Sequence, residues 1–556
     1  MKKIFLFFFL FTININSQSK FPSDYFSNPL DSDLILNGTF GELRSSHFHS
    51  GIDFKTKFKE GLKVYSSADG YVSRISIKHE GFGKALYINH PNGYTTVYAH
   101  LKNFNKEIED YIKALQYSKK SYQIEHYLKK NELKVFKNQV IGNSGNTGSS
   151  FGPHLHFEIR KTSNQKALNP KLFKFKIKDT RNPNINSVFV YKFDSLNNRS
   201  KPYEIKLKNI NDSIIIADEI SLDGRFAFGI AGFDRQDMAM NKNGIYKFSS
   251  FFNENKNLEF KFDSFFFEES IKIKTLIDYE FYVKTKKKIV KLFKDYGNNL
   301  SFYNSNSSGI IDIINPINEY KIEVSDFDGN KTVIIVPIKK GKSNYFFNFE
   351  DETFESNTEI KNNKDYNLSF KNSEIKISKN TFLQDIGLKL EVFEDSIKIL
   401  NPYLPVFKNL MISLLNKNPK KGDYLAIKDF DGNESFASRA LDNNNYHTVK
   451  TKSLGTYFIK NDSVSPEIRL HNFKNKDWIT NKKIIRIKIF DEDSGIKKYD
   501  VKINDKWMLF EYEYKKNELF YIFDSYFENK TQNLIEVTVE DMSGNKSTKK
   551  YTFFKN

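Results

Sequence analysis

The sequence predicts a mainly β chain in which an antiparallel β module is followed by several β-sandwich modules. At 556 residues the chain is too long for a single hydrophobic core. Its 54 Phe and 30 Tyr residues favour strands. After Pro170, short runs that alternate apolar and polar residues are separated by Asn, Asp, Gly and Ser, which is typical of strands joined by tight turns.

The N-terminus has the pattern of a secretory signal. Lys2 and Lys3 precede an apolar run, from Ile4 to Ile15, that is too short to span a bilayer stably. We expect a signal peptide over residues 1–17, with an uncleaved anchor as the alternative. No later stretch approaches the roughly 18 apolar residues of a membrane helix. The mature chain is therefore expected in the periplasm or cell envelope, peripheral to a membrane at most.

Composition narrows the chemistry further. The chain has no cysteine, which excludes disulfides, thiolate metal sites and a cysteine nucleophile. The formal charge of +18 would suit an anionic partner. However, the lysines are scattered through strand-like segments without a nucleic-acid-binding motif, so we expect no nucleic-acid partner.

Histidines are concentrated at the start of the chain. Eight of the ten lie at or before His156, so any histidine chemistry belongs to the first module. His154 and His156 are separated by one residue in an alternating run, which places both on one face of a strand. On its own such a pair could bind a metal with both imidazoles, divide metal binding from proton transfer, or be structural.

Two further segments supply candidate partners. His49 is followed four residues later by Asp53, with Gly51 between them allowing a tight backbone path. Imidazole nitrogen and carboxylate oxygen are ordinary Zn²⁺ ligands. A hairpin with an Asn92-Gly93 turn brings His100 to the end of its second strand.

Together these segments resemble the lysostaphin/LytM-type zinc metallopeptidases, peptidase family M23, over about residues 30–175. The shared motifs, in order, are His49-x-x-x-Asp53, Tyr98-Ala-His100-Leu101 and Gly152-Pro-His154-Leu-His156-Phe-Glu158. The resemblance implies a compact β fold with a zinc site in a groove and cleavage of peptide crosslinks in bacterial peptidoglycan.

The resemblance also implies roles for individual residues. It gives His49, Asp53 and His156 as ligands of one Zn²⁺ per chain, with water at the fourth position. It gives His100 and His154 as catalytic histidines that do not bind the metal. Which of those two is the general base is left open.

Residues near these motifs have their own expectations. Glu158 shares a strand face with His156 and could orient it, since metal-bound imidazoles usually donate their other N–H to an acceptor. Arg44 could bind a substrate carboxylate or form a surface salt bridge. Asn138 stands where the family usually has glycine, which affects a turn. The segment Asn105–Glu132 is the one part of the first module expected to be helical.

The remaining chain is expected to form three β modules. After a metalloendopeptidase domain over residues 18–180, we place an immunoglobulin-like sandwich with a helical insertion at 182–340, a β module with uncertain boundaries at 341–460 and an immunoglobulin-like sandwich at 461–556. These modules could dock a protein partner.

A repeated turn of the form Asp-x-x-Gly-Asn begins at Asp326, Asp429 and Asp541. Its oxygens could bind Ca²⁺, but backbone geometry alone explains each turn, so turns without metal are expected.

Three functions are consistent with the sequence. The favoured one is an exported zinc endopeptidase that hydrolyses peptidoglycan crosslinks, because all five motif positions are filled. The alternatives are a non-catalytic relative that binds wall peptides or regulates another hydrolase, and a zinc protease acting on proteins.

Overall fold

A computed structural model describes residues 21–130, 132–343, 345–349 and 357–556. The predicted signal peptide lies outside these residues. The chain is mainly β with predominantly antiparallel sheets, which confirms the predicted fold class. Within the described ranges, no helix has the length and apolar character needed to cross a membrane.

The N-terminal module is built on a long antiparallel sheet and a small three-stranded sheet. The path β1-β2-β11-β6-β5-β4-β8 forms the long sheet, and β3-β10-β7 the small one. Their strands, with two short ones at the margins, are β1 (Leu36–Gly38), β2 (Ile52–Lys55), β3 (Lys63–Tyr65), β4 (Gly70–Ile77), β5 (Lys84–Asn89), β6 (Tyr94–Ala99), β7 (Leu101–Phe104), β8 (Ile124–Tyr127), β9 (Lys134–Val135), β10 (Val140–Ser144), β11 (His154–Lys161) and β12 (Ala167–Leu168).

The helix of this module is shorter than predicted. Helix α1 spans Lys106–Lys119, capped at its start by the Asn105 side chain, which accepts a hydrogen bond from the backbone N–H of Ile108. It ends at Lys120, whose left-handed backbone (φ 49°) breaks the helical path. The prediction of a helix to residue 132 is wrong because the following residues form β8, which pairs with the edge of β4.

The second module contains two sheets and a helical segment. Its strands, including β21, which pairs with β12 of the first module, are β13 (Asn184–Phe193), β14 (Tyr203–Ile205), β15 (Leu207–Asn209), β16 (Ile214–Ala217), β17 (Ile220–Leu222), β18 (Gly224–Phe233), β19 (Lys247–Phe252), β20 (Asn255–Lys261), β21 (Ser264–Phe265), β22 (Val290–Lys291), β23 (Ile311–Ile313), β24 (Ile317–Ser325) and β25 (Lys331–Lys340). A 3-10 turn at Phe267–Lys272 leads into α2 (Ile273–Leu276) and α3 (Tyr279–Thr285).

The first two modules share one hydrophobic core. Phe54 and Phe157 of the N-terminal sheet belong to the same buried cluster as Phe228 and Ile334 of the two sheets of the second module. The backbone N–H of Phe48, on the loop that carries His49, donates to the Ser270 hydroxyl at 2.8 Å. The helical segment of the second module therefore supports a loop of the first.

The third and fourth modules each have their own core between two main sheets. The third contains β26 (Thr358–Ile360), β27 (Tyr366–Ser369), β28 (Ser373–Ile377), β29 (Ile386–Leu388), β30 (Leu390–Val392), β31 (Ser396–Ile399), β32 (Leu410–Leu415), β33 (Asp423–Lys428), β34 (Glu434–Ser438), β35 (Tyr446–Thr451) and β36 (Thr456–Asn461). The fourth contains β37 (Glu467–Leu470), β38 (Asp477–Trp478), β39 (Ile484–Phe490), β40 (Ile496–Ile503), β41 (Lys506–Trp507), β42 (Glu511–Glu513), β43 (Glu518–Ile522), β44 (Gln532–Asp541) and β45 (Lys546–Phe554).

The fourth module folds back onto the first. The rings of Tyr117 and Tyr526 stack with centroids 3.7 Å apart, and His79 lies edge-on to Tyr512. The buried Lys84 ammonium pairs with the Glu511 carboxylate at 2.8 Å. The last module is thus packed against the N-terminal module.

Candidate metal centre

Three side chains bring their ligand atoms into one small triangle. Nε2 of His49 lies 3.1 Å from Oδ1 of Asp53 and 3.1 Å from Nδ1 of His156, and the last two atoms are 2.9 Å apart. All three residues are buried. Tetrahedral ligands at about 2.0–2.1 Å from zinc are about 3.3 Å from one another, so this triangle has nearly the size of one face of such a site.

Strand pairing explains how residues so far apart in sequence meet. Strands β2 and β11 are antiparallel neighbours, and their register sets Asp53 directly opposite His156. A Cβ atom on Gly51 would lie 2.4 Å from the carbonyl oxygen of Phe157, so only glycine fits where the His49 loop enters β2. The side chains of His49 and Asp53, four residues apart in the sequence, therefore meet at the start of β2.

Hydrogen bonds fix the orientation of both candidate ligand imidazoles. Nδ1 of His49 donates to the backbone carbonyl of Thr39 at 2.8 Å, and Nε2 of His156 donates to Oε1 of Glu158 at 3.0 Å. When the two rings are neutral, their protons are on these outer nitrogens. Nε2 of His49 and Nδ1 of His156 then carry lone pairs that both point to the centre of the triangle. That arrangement calls for a cation, and it matches the usual support of metal-bound histidines.

Glu158 is the centre of a buried network behind the triangle. Its side chain is fully buried, accepts from the Ser50 hydroxyl and from His156, and pairs with the Arg160 guanidinium. Burial alone would raise the pKa of Glu158, but Arg160 and the hydrogen bonds from His156 and Ser50 bring it down to about 2. The predicted contact of Glu158 with His156 is present.

The electrostatics of the triangle favour a bound cation. Burial by itself raises the pKa of Asp53, yet the neighbouring histidines hold it well below its usual range, so Asp53 is a carboxylate. Burial lowers the pKa of His156, but Asp53 and Glu158 more than offset this and raise it to about 9. Without a metal, a proton on Nδ1 of His156 therefore faces Oδ1 of Asp53, and a metal ion bound by the neutral ring would take the place of that proton. The residues present therefore fit a metal site.

His100 and His154 lie beside the triangle, with ring centroids 4.8 Å apart. Nδ1 of His154 donates to the Gly152 carbonyl at 2.9 Å, and its Nε2 lies 3.5 Å from Oδ1 of Asp53. Nδ1 of His100 donates to the Thr147 carbonyl at 2.9 Å. Burial, together with the neighbouring histidines, lowers the pKa of His100 to about 3. In both rings Nε2 is thus the nitrogen that is not bonded to the backbone, and in His154 it lies near Asp53.

The backbone at His100 is in the left-handed region, with φ 59°. Histidine adopts this conformation more readily than most side chains, but it still requires support. The support comes from its backbone N–H, which donates to the Phe82 carbonyl at 3.0 Å, and from the Thr147 carbonyl. Gly148, next to that carbonyl, has φ +73°, and a Cβ there would lie 2.3 Å from the Gly81 oxygen. The loop between β10 and β11, which contains Gly145, Gly148 and Gly152, is therefore shaped to hold His100.

Other predicted residues have simpler positions. Arg44 pairs with Oδ2 of Asp53 at 3.1 Å as well as with Glu42, so it touches a candidate ligand rather than standing free. His47 is exposed. Asn138 adopts φ 66°, which fits the turn where glycine is usual in the family.

Two supporting groups, the Thr39 and Thr147 carbonyls, could not be predicted from the sequence. Every residue has a carbonyl, so such acceptors leave no pattern in a sequence.

Comparison with known proteins assigns the class of the N-terminal module. Residues 47–117 and 116–170 match the model described as Peptidase family M23. This match lies within the N-terminal module and confirms the resemblance drawn from the three motifs.

The chain is similar to the DD-carboxypeptidase/endopeptidase Mpg of Neisseria meningitidis, at 34% identity over 128 residues, which are 23% of each chain. It is also similar to the peptidoglycan DD-endopeptidase ShyA of Vibrio cholerae, at 35% identity over 111 residues and 20% of each chain. The match thus spans less than a quarter of these curated relatives. Among solved structures, the catalytic domain of a prophage-encoded M23 protein from Enterococcus faecalis is 21% identical, with TM-score 0.21, and the alignment covers 27% of this chain and 98% of that one.

Proposed function

We propose that this protein is an exported zinc endopeptidase that hydrolyses peptide crosslinks of bacterial peptidoglycan. The observation that carries the proposal is the triangle of His49, Asp53 and His156 with His100 and His154 beside it. The names of the two curated relatives, a DD-carboxypeptidase/endopeptidase and a peptidoglycan DD-endopeptidase, support the choice of substrate.

In this proposal His49, Asp53 and His156 hold one zinc ion per chain. When bound, zinc lowers the pKa of a water molecule and polarises the scissile carbonyl. Asp53 supplies negative charge. Thr39 and Glu158 hold the protons of the two imidazoles on their outer nitrogens, so that the inner nitrogens can bind the ion. With three protein ligands, a fourth position stays open for water or substrate.

His100 and His154 perform the proton chemistry in this proposal. With Nδ1–H of each ring held by a backbone carbonyl, Nε2 of a neutral ring can accept a proton from the attacking water. The other ring, when protonated, can donate to the developing oxyanion or the leaving amine. The ring centroids are 4.8 Å apart, so both rings can reach the same reacting peptide.

The cellular setting follows from the substrate. Peptidoglycan lies outside the cytoplasm, so the signal segment at residues 1–17 would export the chain to the periplasm or cell envelope. The C-terminal modules would position the catalytic module or dock a protein partner.

The experiment combines metal analysis with digestion of purified peptidoglycan by the full-length protein. Wild type is expected to hold stoichiometric zinc and to release soluble fragments. His156→Ala is expected to lose both zinc and activity, whereas His154→Ala keeps zinc and loses activity. His126→Ala is the matched control, because this histidine belongs to the same module but bonds to Tyr111.

Two results would contradict parts of the proposal. Loss of zinc in His154→Ala would show that the ligands are wrongly divided between the two histidines. Zinc-loaded wild type that leaves peptidoglycan intact would favour the non-catalytic function.

A further inference from the structure

A second candidate metal site lies where the first module joins the second. Asp179 is on the linker, Asp234 follows β18, and Asp326 begins the turn between β24 and β25. One ligand atom from each of these carboxylates lies within 4.8 Å of the others. Two oxygens that each lie about 2.4 Å from a Ca²⁺ ion can be up to about 4.8 Å apart, so the three can share one ion.

An unsatisfied oxygen distinguishes this cluster from an ordinary acidic turn. The Asp234 residue is 4% exposed, and its Oδ1 has no hydrogen-bond partner among the described residues. A buried carboxylate oxygen without a partner costs free energy unless a cation or a proton satisfies it. Lys171 is one nearby cation, but its ammonium pairs with the Asp328 carboxylate.

The two other carboxylates are held in place by the backbone around them. Oδ1 of Asp326 accepts from the backbone N–H groups of Gly329 and Asn330 at 2.8 Å each, and Oδ1 of Asp179 accepts from the backbone N–H of Arg181 at 3.2 Å. Burial together with neighbouring carboxylates raises the pKa of Asp179 to about 6 and that of Asp234 to about 7. The cluster is therefore preorganised and strained by like charge.

The arrangement recurs within the chain. Asp462, Asp491 and Asp541 form a second cluster at the start of the last module, again from a linker, a strand end and an Asp-x-x-Gly-Asn turn. In both clusters the linker aspartate is four residues before a proline, and the strand-end aspartate follows a phenylalanine. The third turn, at Asp429, is exposed and lies outside such a cluster among the described residues. Turn geometry alone does not require the additional carboxylates, because this third turn closes without them.

We propose that Asp179, Asp234 and Asp326 bind a Ca²⁺ ion that locks the second module to the catalytic module. An all-oxygen carboxylate set suits this hard cation and not the zinc of the histidine site. For this turn, the proposal replaces the expectation of a turn without metal.

Hydrogen bonds of Gln236 connect the site to the catalytic module. Gln236, two residues after Asp234, accepts from the Leu36 backbone N–H at 2.7 Å and donates to the carbonyls of Leu34 and Lys178. Strand β1, which contains Leu36, leads to Thr39, the residue whose carbonyl orients His49. A bound ion would fix the loop after β18 and so stabilise the start of the catalytic module.

The test is calorimetric titration of zinc-loaded full-length protein with CaCl₂. Asp234→Asn is expected to bind one Ca²⁺ fewer than wild type, and the control Asp429→Asn is expected to bind as many as wild type. A wild type that binds no Ca²⁺, or an Asp234→Asn variant that binds as many ions as wild type, overturns the proposal.

Thermal unfolding tests the proposal without an activity assay. The wild-type protein alone already gives one of its results. CaCl₂ is expected to raise the melting temperature of wild type above that in NaCl of equal ionic strength. Without Ca²⁺, Asp234→Asn should melt at or above the wild-type temperature, because it removes an unsatisfied buried charge, and CaCl₂ should raise its melting temperature less. An unchanged wild-type melting temperature in CaCl₂ contradicts the proposal even if the variant does not fold.

Discussion

Replacing Glu158 with glutamine tests whether the buried network behind the triangle sets metal affinity. The substitution keeps the size of the side chain but removes the carboxylate that accepts from His156 and pairs with Arg160. Glu158 is fully buried, and the Arg160 side chain is only 8% exposed, so water cannot replace the lost charge.

Two losses are expected, one in zinc affinity and one in the free energy of unfolding. Loss of a hydrogen-bonding partner behind a metal-bound histidine typically weakens metal binding about 10–100-fold, which corresponds to about 1.4–2.8 kcal/mol. Removing one member of a buried ion pair costs about 3–5 kcal/mol. Because the glutamine amide can still hydrogen bond, we expect about 3 kcal/mol of lost stability in the metal-free protein.

The assay is zinc competition against a chromogenic chelator, combined with urea unfolding of the metal-free protein. Glu125→Gln is the control, because Glu125 is in the same module and pairs with Arg74 but is 33% exposed. That change should cost less than about 1 kcal/mol and leave zinc affinity unaltered. A Glu158→Gln variant with wild-type zinc affinity would refute the idea that Glu158 acts through His156.

Three other perturbations have defined outcomes. Gly148→Ala should lower kcat while zinc stays bound, because the loop that holds His100 must shift; Gly93→Ala, which also has positive φ but open space, should keep wild-type kcat. Glu511→Gln leaves the buried Lys84 ammonium without its carboxylate, so hydrogen exchange should show faster opening of the last module against the first. Burial in the contact between these modules lowers the pKa of His79 to about 4, below the ordinary histidine pKa near 6.5. The contact should therefore be fully stable above pH 6.5 and should weaken as the pH falls toward 4. The intrinsic fluorescence of the docked module should follow that change, and an unchanged signal over this pH range would contradict it.

Much of the candidate site could be predicted because its residues leave local patterns. The step from His49 to Asp53 across a glycine, and the strand spacing of His154 and His156, are visible in the sequence. The pairing of β2 with β11 brings the residues of both patterns together at one site. The left-handed backbone of His100 could not be foreseen, since only glycine signals that conformation reliably.

The predicted helix to Glu132 is wrong for a physical reason, which is that tertiary partners decide between local alternatives. The residues after Lys120 became a strand because the edge of β4 was available for pairing. The sequence shows only the local turn at Asp326, whereas the structure adds Asp179 and Asp234 from distant segments. The immunoglobulin-like assignment and the module boundaries remain predictions.

The proposed activity can be measured directly as the mass of the products that the zinc-loaded full-length protein releases from purified peptidoglycan. We expect crosslinked muropeptide dimers to disappear and their peptide-bond cleavage products to appear, each cut adding one water. His154→Ala should yield none of these products. Intact dimers, or fragments cut only in the glycan strand, would contradict a zinc endopeptidase of peptide crosslinks.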